Sequence, residues 1–371
     1  MPKLLNNSNP QSTILALAST GVVLACLLGI LVGSQKQVAK QPLPVILSSA
    51  LRISETRCAE CHSDITDDFA LAPHSRTLQR VSNPELLKNF AGREFQHPNS
   101  KNIFKYQHSG DELTVHTSAY GRDLPIDWIF GSGTHARTPL MTWTDLDGNT
   151  SGLEHCVSWY PGDELGVTLG MENLKDQVGI FALGAPRSPA ETINCFGCHS
   201  TFIPTRAKKI HFDKIEPGIG CVRCHWNANQ HADEMEHDWE STIEKISRLT
   251  PTESVDRCGE CHRRADEMDG PILASDDSLP RFASVGLVQS PCFKQQADVT
   301  LADGTIARLD CTSCHDPHQP ASHDWKVHTA VCLNCHDAGH DRAIDCTQAT
   351  RKDNCLTCHM PKLPANEYLN F

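Results

Sequence analysis

The segment Cys195-Phe-Gly-Cys198-His199 carries a Cys-x-x-Cys-His pattern that this chain of 371 residues repeats seven times. In each repeat two thiols three positions apart can bond the two vinyl groups of one porphyrin, and the adjacent imidazole can bind its iron. Seven repeats therefore predict seven covalently attached c-type haems. The attachment cysteines are Cys58, Cys61, Cys195, Cys198, Cys221, Cys224, Cys258, Cys261, Cys311, Cys314, Cys332, Cys335, Cys355 and Cys358, and the proximal iron ligands are His62, His199, His225, His262, His315, His336 and His359.

The alternatives for such a cysteine pattern are zinc ribbons and disulfide clips. Zinc would need two motifs to share each metal ion, and nothing in zinc chemistry requires a histidine after every second cysteine. Seven motifs that all end in histidine favour haem. We number the motifs 1 to 7 in chain order.

The spacing of the motifs indicates how the haems are arranged. Motifs 2 to 7 lie between Cys195 and His359, which leaves roughly 28 residues for each haem, and segments below about 40 residues seldom bury a core of their own. Hydrophobic residues make up only 39% of the chain. The haems are therefore expected to pack against one another, as the apolar interior and as a chain of redox centres.

The remaining histidines supply candidates for the second axial ligand of each iron. Thirteen of the 20 histidines lie outside the motifs, more than seven irons need, so two imidazoles per iron and a low potential are expected. No methionine stands in a context that marks it as a ligand instead. Position favours His74, His135, His231 and His318 as distal ligands, and leaves His97, His211, His328 and His340 open.

The first 52 residues predict export. The apolar run from Ile14 to Val32 is long enough for a transmembrane helix, so residues 1–33 are expected to be a membrane anchor, followed by a linker over residues 34–52. The alternative is a signal peptide cleaved near Val32-Gly33-Ser34. Both interpretations place the protein on the periplasmic side of the cytoplasmic membrane.

The residues between His62 and Cys195 carry no motif and predict β structure. Phe104 to His116 alternates around a Ser-Gly-Asp turn, and Thr142 to Asn149 contains an Asp-Gly turn. We expect residues 53–194 to hold the first haem and a small β-rich insert, and residues 195–371 to form a six-haem domain. The predicted fold class is a mainly α and irregular multihaem cytochrome with that insert and an N-terminal transmembrane helix.

Charge and spare cysteines add two expectations. The formal net charge of −12 argues against nucleic acid as a partner and favours redox proteins with a basic docking patch. Outside the cytoplasm, the spare cysteines Cys292 and Cys346 are candidates for a disulfide.

Three segments resemble multihaem cytochromes of the doubled-CXXCH type: Ser290-Pro-Cys-Phe293, Leu309-Asp-Cys-Thr-Ser-Cys-His-Asp-Pro-His318 and Asn354-Cys-Leu-Thr-Cys-His-Met-Pro-Lys362. The resemblance implies electron transfer through mostly bis-histidine haems in stacked pairs. It supports His135 and His318 as ligands and adds His97. The chain departs from the tetrahaem members of that group by its seven motifs and its insert.

Two functions fit these features. The first is an electron carrier between membrane and periplasmic redox partners, with no catalytic residues. The alternative is an oxidoreductase that acts on a small nitrogen or sulfur compound at one haem without a distal ligand. No Cys-x-x-Cys-Lys motif like that of pentahaem nitrite reductases is present, which favours the carrier.

Overall fold

The computed structural model describes residues 55–174, 178–267, 283–301, 303–336 and 354–362. All of them belong to one compact unit, Pro44–Phe371. The predicted anchor and linker, residues 1–52, lie outside the described residues. Within the described ranges, every helix is too short or too polar to cross a membrane.

Short α-helices run along the described chain, most of them next to a Cys-x-x-Cys-His motif. They are α1 (Glu55–Ala59), α2 (Ser63–Leu71), α3 (Pro84–Phe90), α4 (Pro189–His199), α5 (Ala228–Glu236), α6 (Pro251–His262), α7 (Ala283–Gln289), α8 (Pro291–Gln295), α9 (Trp325–His336) and α10 (Leu356–His359). Seven single turns of 3-10 helix join them, at Pro73–Arg76, Gly179–Leu183, Cys221–Arg223, Ile246–Arg248, Ala265–Glu267, Gln296–Asp298 and Cys311–Ser313.

The start of two motif helices is fixed by local sequence. Ser188 caps α4 and Thr250 caps α6, each in a reciprocal capping box with the glutamate three residues later. Proline follows each cap, where its missing N–H costs no helical hydrogen bond. Both helices then end at the histidine of a motif.

Fifteen strands lie in the described residues, and all the sheets are antiparallel. The strands are β1 (Leu78–Arg80), β2 (Glu94–Gln96), β3 (Ile103–Ser109), β4 (Glu112–Thr117), β5 (Asp123–Ile126), β6 (Trp128–Phe130), β7 (Thr138–Thr144), β8 (Thr150–His155), β9 (Val157–Tyr160), β10 (Glu164–Val167), β11 (Gly184–Arg187), β12 (Ser200–Phe202), β13 (Thr205–Arg206), β14 (Lys209–Ile210) and β15 (Glu216–Pro217).

Two larger sheets dominate the region between motifs 1 and 2. One has the order β1-β6-β7-β8-β11 and the other β2-β3-β4-β5, while β9 with β10, β12 with β15 and β13 with β14 form two-stranded sheets. Both predicted hairpins are present. In the first, Ser109 pairs with Glu112 across a tight turn in which Gly110 has φ of 58°; in the second, Thr144 pairs with Thr150.

Two apolar clusters hold these elements together. The larger joins α3 to strands of both large sheets and includes Phe90, Phe104 and Leu153, all fully buried. The smaller joins Trp128 of β6 to Phe196 of α4. The helix α4 therefore packs on the β-rich region although it carries motif 2, and the domain boundary at residue 195 stays a prediction.

The predicted fold class is wrong. The described chain is a mixed α and β structure with several antiparallel sheets, not a mainly helical one with a small β insert, and no described helix could span a membrane. Strand β8 shows why: five of its six residues are buried, so it lacks the alternation of a half-exposed strand. The four short strands after Cys195 are too short to show any period.

Candidate haem sites

Each motif forms one tight helical turn. Motifs 2, 4, 6 and 7 lie at or near the ends of α4, α6, α9 and α10, and motifs 3 and 5 lie on 3-10 turns. In motif 3 the backbone N of His225 donates to the carbonyl of Cys221 at 2.9 Å, and His62 does the same to Cys58 in motif 1. Residues three and four apart share a helix face. Both thiols and the imidazole therefore project to the same side.

Four motif histidines face a second histidine at nearly constant separation. The ring centroids of these pairs lie 6.1–6.3 Å apart. Two metal–imidazole bonds of about 2.0 Å place ring centroids roughly 6.3 Å apart across one metal ion. The spacing thus fits two imidazoles on one iron. The pairs are His62 with His231 (6.2 Å), His262 with His74 (6.3 Å), His225 with His318 (6.1 Å) and His315 with His328 (6.1 Å).

Every pair combines one motif histidine with one histidine from outside the motifs. Of the predicted distal ligands, His74, His231 and His318 are brought to a motif in this way. His328, which the sequence left open, stands opposite His315. The signal that could have identified it is its place in α9, one turn before motif 6. Coordination at each site stays a prediction.

Hydrogen bonds orient several of these rings. Nδ1–H of His225 donates to the carbonyl of Glu244, and Nδ1–H of His199 donates to the carbonyl of Thr77, both at 2.9 Å. A carbonyl can only accept, so the proton lies on Nδ1 and leaves the Nε2 lone pair for a metal. Such outer contacts are usual for metal-binding histidines.

Motif 2 has a different environment. The ring of His199 meets the edge of Phe130 at 4.9 Å, and Phe196 from inside the motif packs on both Phe130 and Trp128. Burial lowers the pKa of His199, which keeps the ring neutral. No other histidine of the described ranges stands opposite His199 at the spacing of the four pairs.

The other two predicted distal ligands lie elsewhere. His97 is 1% exposed inside the β-rich region, where its Nδ1 accepts from the backbone N of Asn99 at 3.2 Å. His135 lies in the loop between β6 and β7; burial lowers its pKa, and His323 and Lys362 lower it further. The structure therefore brings His135 near the segment of motif 7. No motif histidine of the described ranges stands opposite His97 at the spacing of the four pairs.

Attachment cysteines of different motifs touch one another. The thiols of three cysteine pairs lie close enough to shift each other's pKa: Cys58 with Cys221, Cys198 with Cys261, and Cys258 with Cys311. Motif 1 therefore adjoins motif 3, motif 2 adjoins motif 4, and motif 4 adjoins motif 5. Groups attached to these sulfurs lie next to each other.

The surroundings of these cysteines fit haem. Cys221 lines a cleft of ≈ 430 Å³ together with α1, α2 and Arg76. The Nε of Arg76 is buried and makes no hydrogen bond, which suits a ligand that carries carboxylates, as the porphyrin of haem does. Paired imidazoles, paired thiols and a half-buried guanidinium together make a donor set for haem rather than for a bare metal ion.

Two spare cysteines, Cys156 and Cys292, lie in the described residues, and they are not bonded to each other. Cys156 is buried in the β-rich core, and burial raises the pKa of its thiol to about 12. Cys292 is exposed on α8. Cys346, its predicted disulfide partner, lies outside the described residues.

Comparison with known proteins gives one distant structural neighbour. No family model matches the chain, and no curated protein matches it. The neighbour is the crystal structure of the outer cell wall cytochrome OcwA, with a TM-score of 0.35 and 17% identity over 58% of this chain and 38% of that chain. This chain thus spans well under half of that neighbour, and a TM-score so low supports no argument about function.

Proposed function

We propose that this protein is a heptahaem c-type cytochrome that carries electrons between redox proteins outside the cytoplasm. One observation carries the proposal: four of the seven motif histidines face a second imidazole at 6.1–6.3 Å, the spacing expected across one iron. Bound haem supplies reversible one-electron oxidation and reduction of its iron.

The arrangement of the side chains at these sites supports electron transfer rather than catalysis. An imidazole on each side of the metal leaves no position for a substrate, so these four sites favour electron transfer over catalysis. The closeness of Cys58 to Cys221, and of Cys258 to Cys311, supports neighbouring haems between which an electron has only a short distance to cross.

The net charge of −12 supports partners with a basic surface. Long-range attraction raises the rate of encounter between oppositely charged proteins and is screened by salt. Electron exchange with the natural partner is therefore expected to slow as ionic strength rises.

The surroundings of His199 favour one alternative function, that of an enzyme with a reactive haem at motif 2. Its ring is packed among aromatic side chains rather than against an imidazole of the described residues. A haem at motif 2 with one free position would make the protein an oxidoreductase for a small nitrogen or sulfur compound. That activity would require six carrier sites to feed one reactive site.

Haem counting and electron paramagnetic resonance (EPR) test both functions on the intact, haem-loaded protein. Mass spectrometry is expected to find seven haems, and the oxidised protein is expected to show only low-spin iron. A lower haem count would contradict the heptahaem assignment. A high-spin signal that shifts on addition of nitrite or hydroxylamine would replace the carrier by the enzyme.

A further inference from the structure

Of the four histidine pairs, His225 and His318 have the most nearly parallel ring planes. Their ring centroids lie 6.1 Å apart, and the two ring planes lie within 5° of parallel. His225 is fixed by its Nδ1–H bond to the carbonyl of Glu244. On the opposite side, Nδ1 of His318 lies 3.0 Å from Oδ1 of Asp316.

Asp316 holds His318 at two points. The carboxylate oxygen that faces the ring also accepts a hydrogen bond from the backbone N of His318, at 2.9 Å. A carboxylate that bonds both the ring and the backbone of one residue restricts the ring's rotation. Because an ionised carboxylate only accepts, the ring proton lies on Nδ1, which leaves the Nε2 lone pair for a metal.

Among the described residues, the other three distal histidines form hydrogen bonds with neutral partners. An ionised carboxylate draws the Nδ1 proton more strongly than a carbonyl or a hydroxyl does, and so makes Nε2 a stronger electron donor. The neutral contacts are His74 with the carbonyl of Pro317, Nδ1 of His231 with the hydroxyl of Ser241 (2.9 Å), and Nε2–H of His328 with the carbonyl of Ser322 (2.9 Å).

We infer that Asp316 is a positioning residue for the motif 3 haem, which orients His318 and lowers the reduction potential of that site. A more basic axial ligand stabilises ferric over ferrous iron, and hydrogen bonding around the ligands is one of the means by which a protein sets a haem potential. The inference rests on the proposed carrier function. It adds a residue that acts through a ligand without touching the iron.

The location of motif 3 gives this tuning a role. Cys58 of motif 1 contacts Cys221, and Cys224 lies close enough to Cys258 and Cys261 of motif 4 for their charges to interact. Motif 3 thus lies between motifs 1 and 4. A lowered potential there makes the intermediate site a less favoured resting place for an electron passing between its neighbours than it would be without Asp316.

The test compares two variants of Asp316 in the haem-loaded protein. Asp316→Asn keeps an oxygen acceptor and removes the charge, whereas Asp316→Ala removes both. A redox titration followed by EPR reports the potential and line shape of each low-spin signal, and the signal lost in His318→Ala identifies motif 3. Asp298→Asn, at an exposed carboxylate of the 3-10 helix Gln296–Asp298, is the charge-matched control.

Asp316→Asn is expected to raise the midpoint potential of the motif 3 signal without changing its line shape. Asp316→Ala is expected to raise the potential and to change the g values, because the ring loses its support. An unchanged potential in Asp316→Asn, or an equal shift in Asp298→Asn, overturns the inference. If one of these results is found in a protein that still has seven low-spin haems, the inference about Asp316 fails but the proposed carrier function holds. Failure of the carrier function itself would already appear in the haem count of the unmodified protein.

Discussion

Replacing His231 by alanine separates a ligand from a histidine that merely packs against a motif. His231 stands on α5, 6.2 Å from His62 with the rings 24° from parallel, and its Nδ1 lies 2.9 Å from the hydroxyl of Ser241. If Nε2 binds the iron of motif 1, its removal leaves that iron with one axial ligand. One haem in seven is then expected to change from low to high spin.

The assay combines EPR with titration of the reduced protein by carbon monoxide. The variant is expected to bind one carbon monoxide per seven haems and to lose one seventh of its low-spin intensity. His237→Ala is the matched control, because His237 lies just beyond the end of the same helix but stacks on exposed Trp239 instead of facing a motif histidine. A His231→Ala protein that keeps seven haems, all low-spin, would refute the assignment.

The same variant is expected to lose stability. His62 and His231 lie 169 residues apart in the sequence, and a cross-link that closes a loop of about 100 residues contributes about 4.7 kcal/mol in the chain-entropy model. The pair of His74 and His262 still joins the same two regions. The loss in unfolding free energy is therefore expected to be well below that figure.

Three further perturbations test other parts of the structure. The rings of His74 and His262 cross at 84°, so their site is expected to give a low-spin EPR signal with one large g value. His74→Ala should remove this signal, whereas the signals of the near-parallel pairs should persist. Leu153→Ala, in the fully buried centre of β8, is expected to cost about 2–5 kcal/mol in denaturant unfolding, whereas alanine at exposed Leu146 should change little. Burial lowers the pKa of His155 to about 4, against about 6.5 in the unfolded chain. As the pH falls, the unfolded chain therefore takes up the proton first, and the free energy of unfolding is expected to drop by about 3 kcal/mol between about pH 6.5 and about pH 4. His155→Gln should flatten that pH dependence, and an unchanged slope would contradict the explanation.

Local features could be predicted from the sequence because they depend on neighbouring residues. The attachment motifs and the turn at Gly110 are of this kind. The buried strand β8 could not be identified by alternation, since both of its faces are covered. The sequence also could not show which motif each distal histidine faces, because nothing local connects His74 with His262, 188 residues away.

The placement of the distal histidines makes the region of motif 1 depend on the region of motifs 3 and 4. His74, from the beginning of the described chain, faces motif 4, and His231, from beyond motif 3, faces motif 1. In this ligation scheme, a chain that has emerged only as far as residue 230 holds an incomplete motif 1 and a histidine that has no iron to bind. In this scheme motif 1 gains its second axial ligand only after the chain has been made as far as α5, so the haem sites are not completed in their order along the sequence.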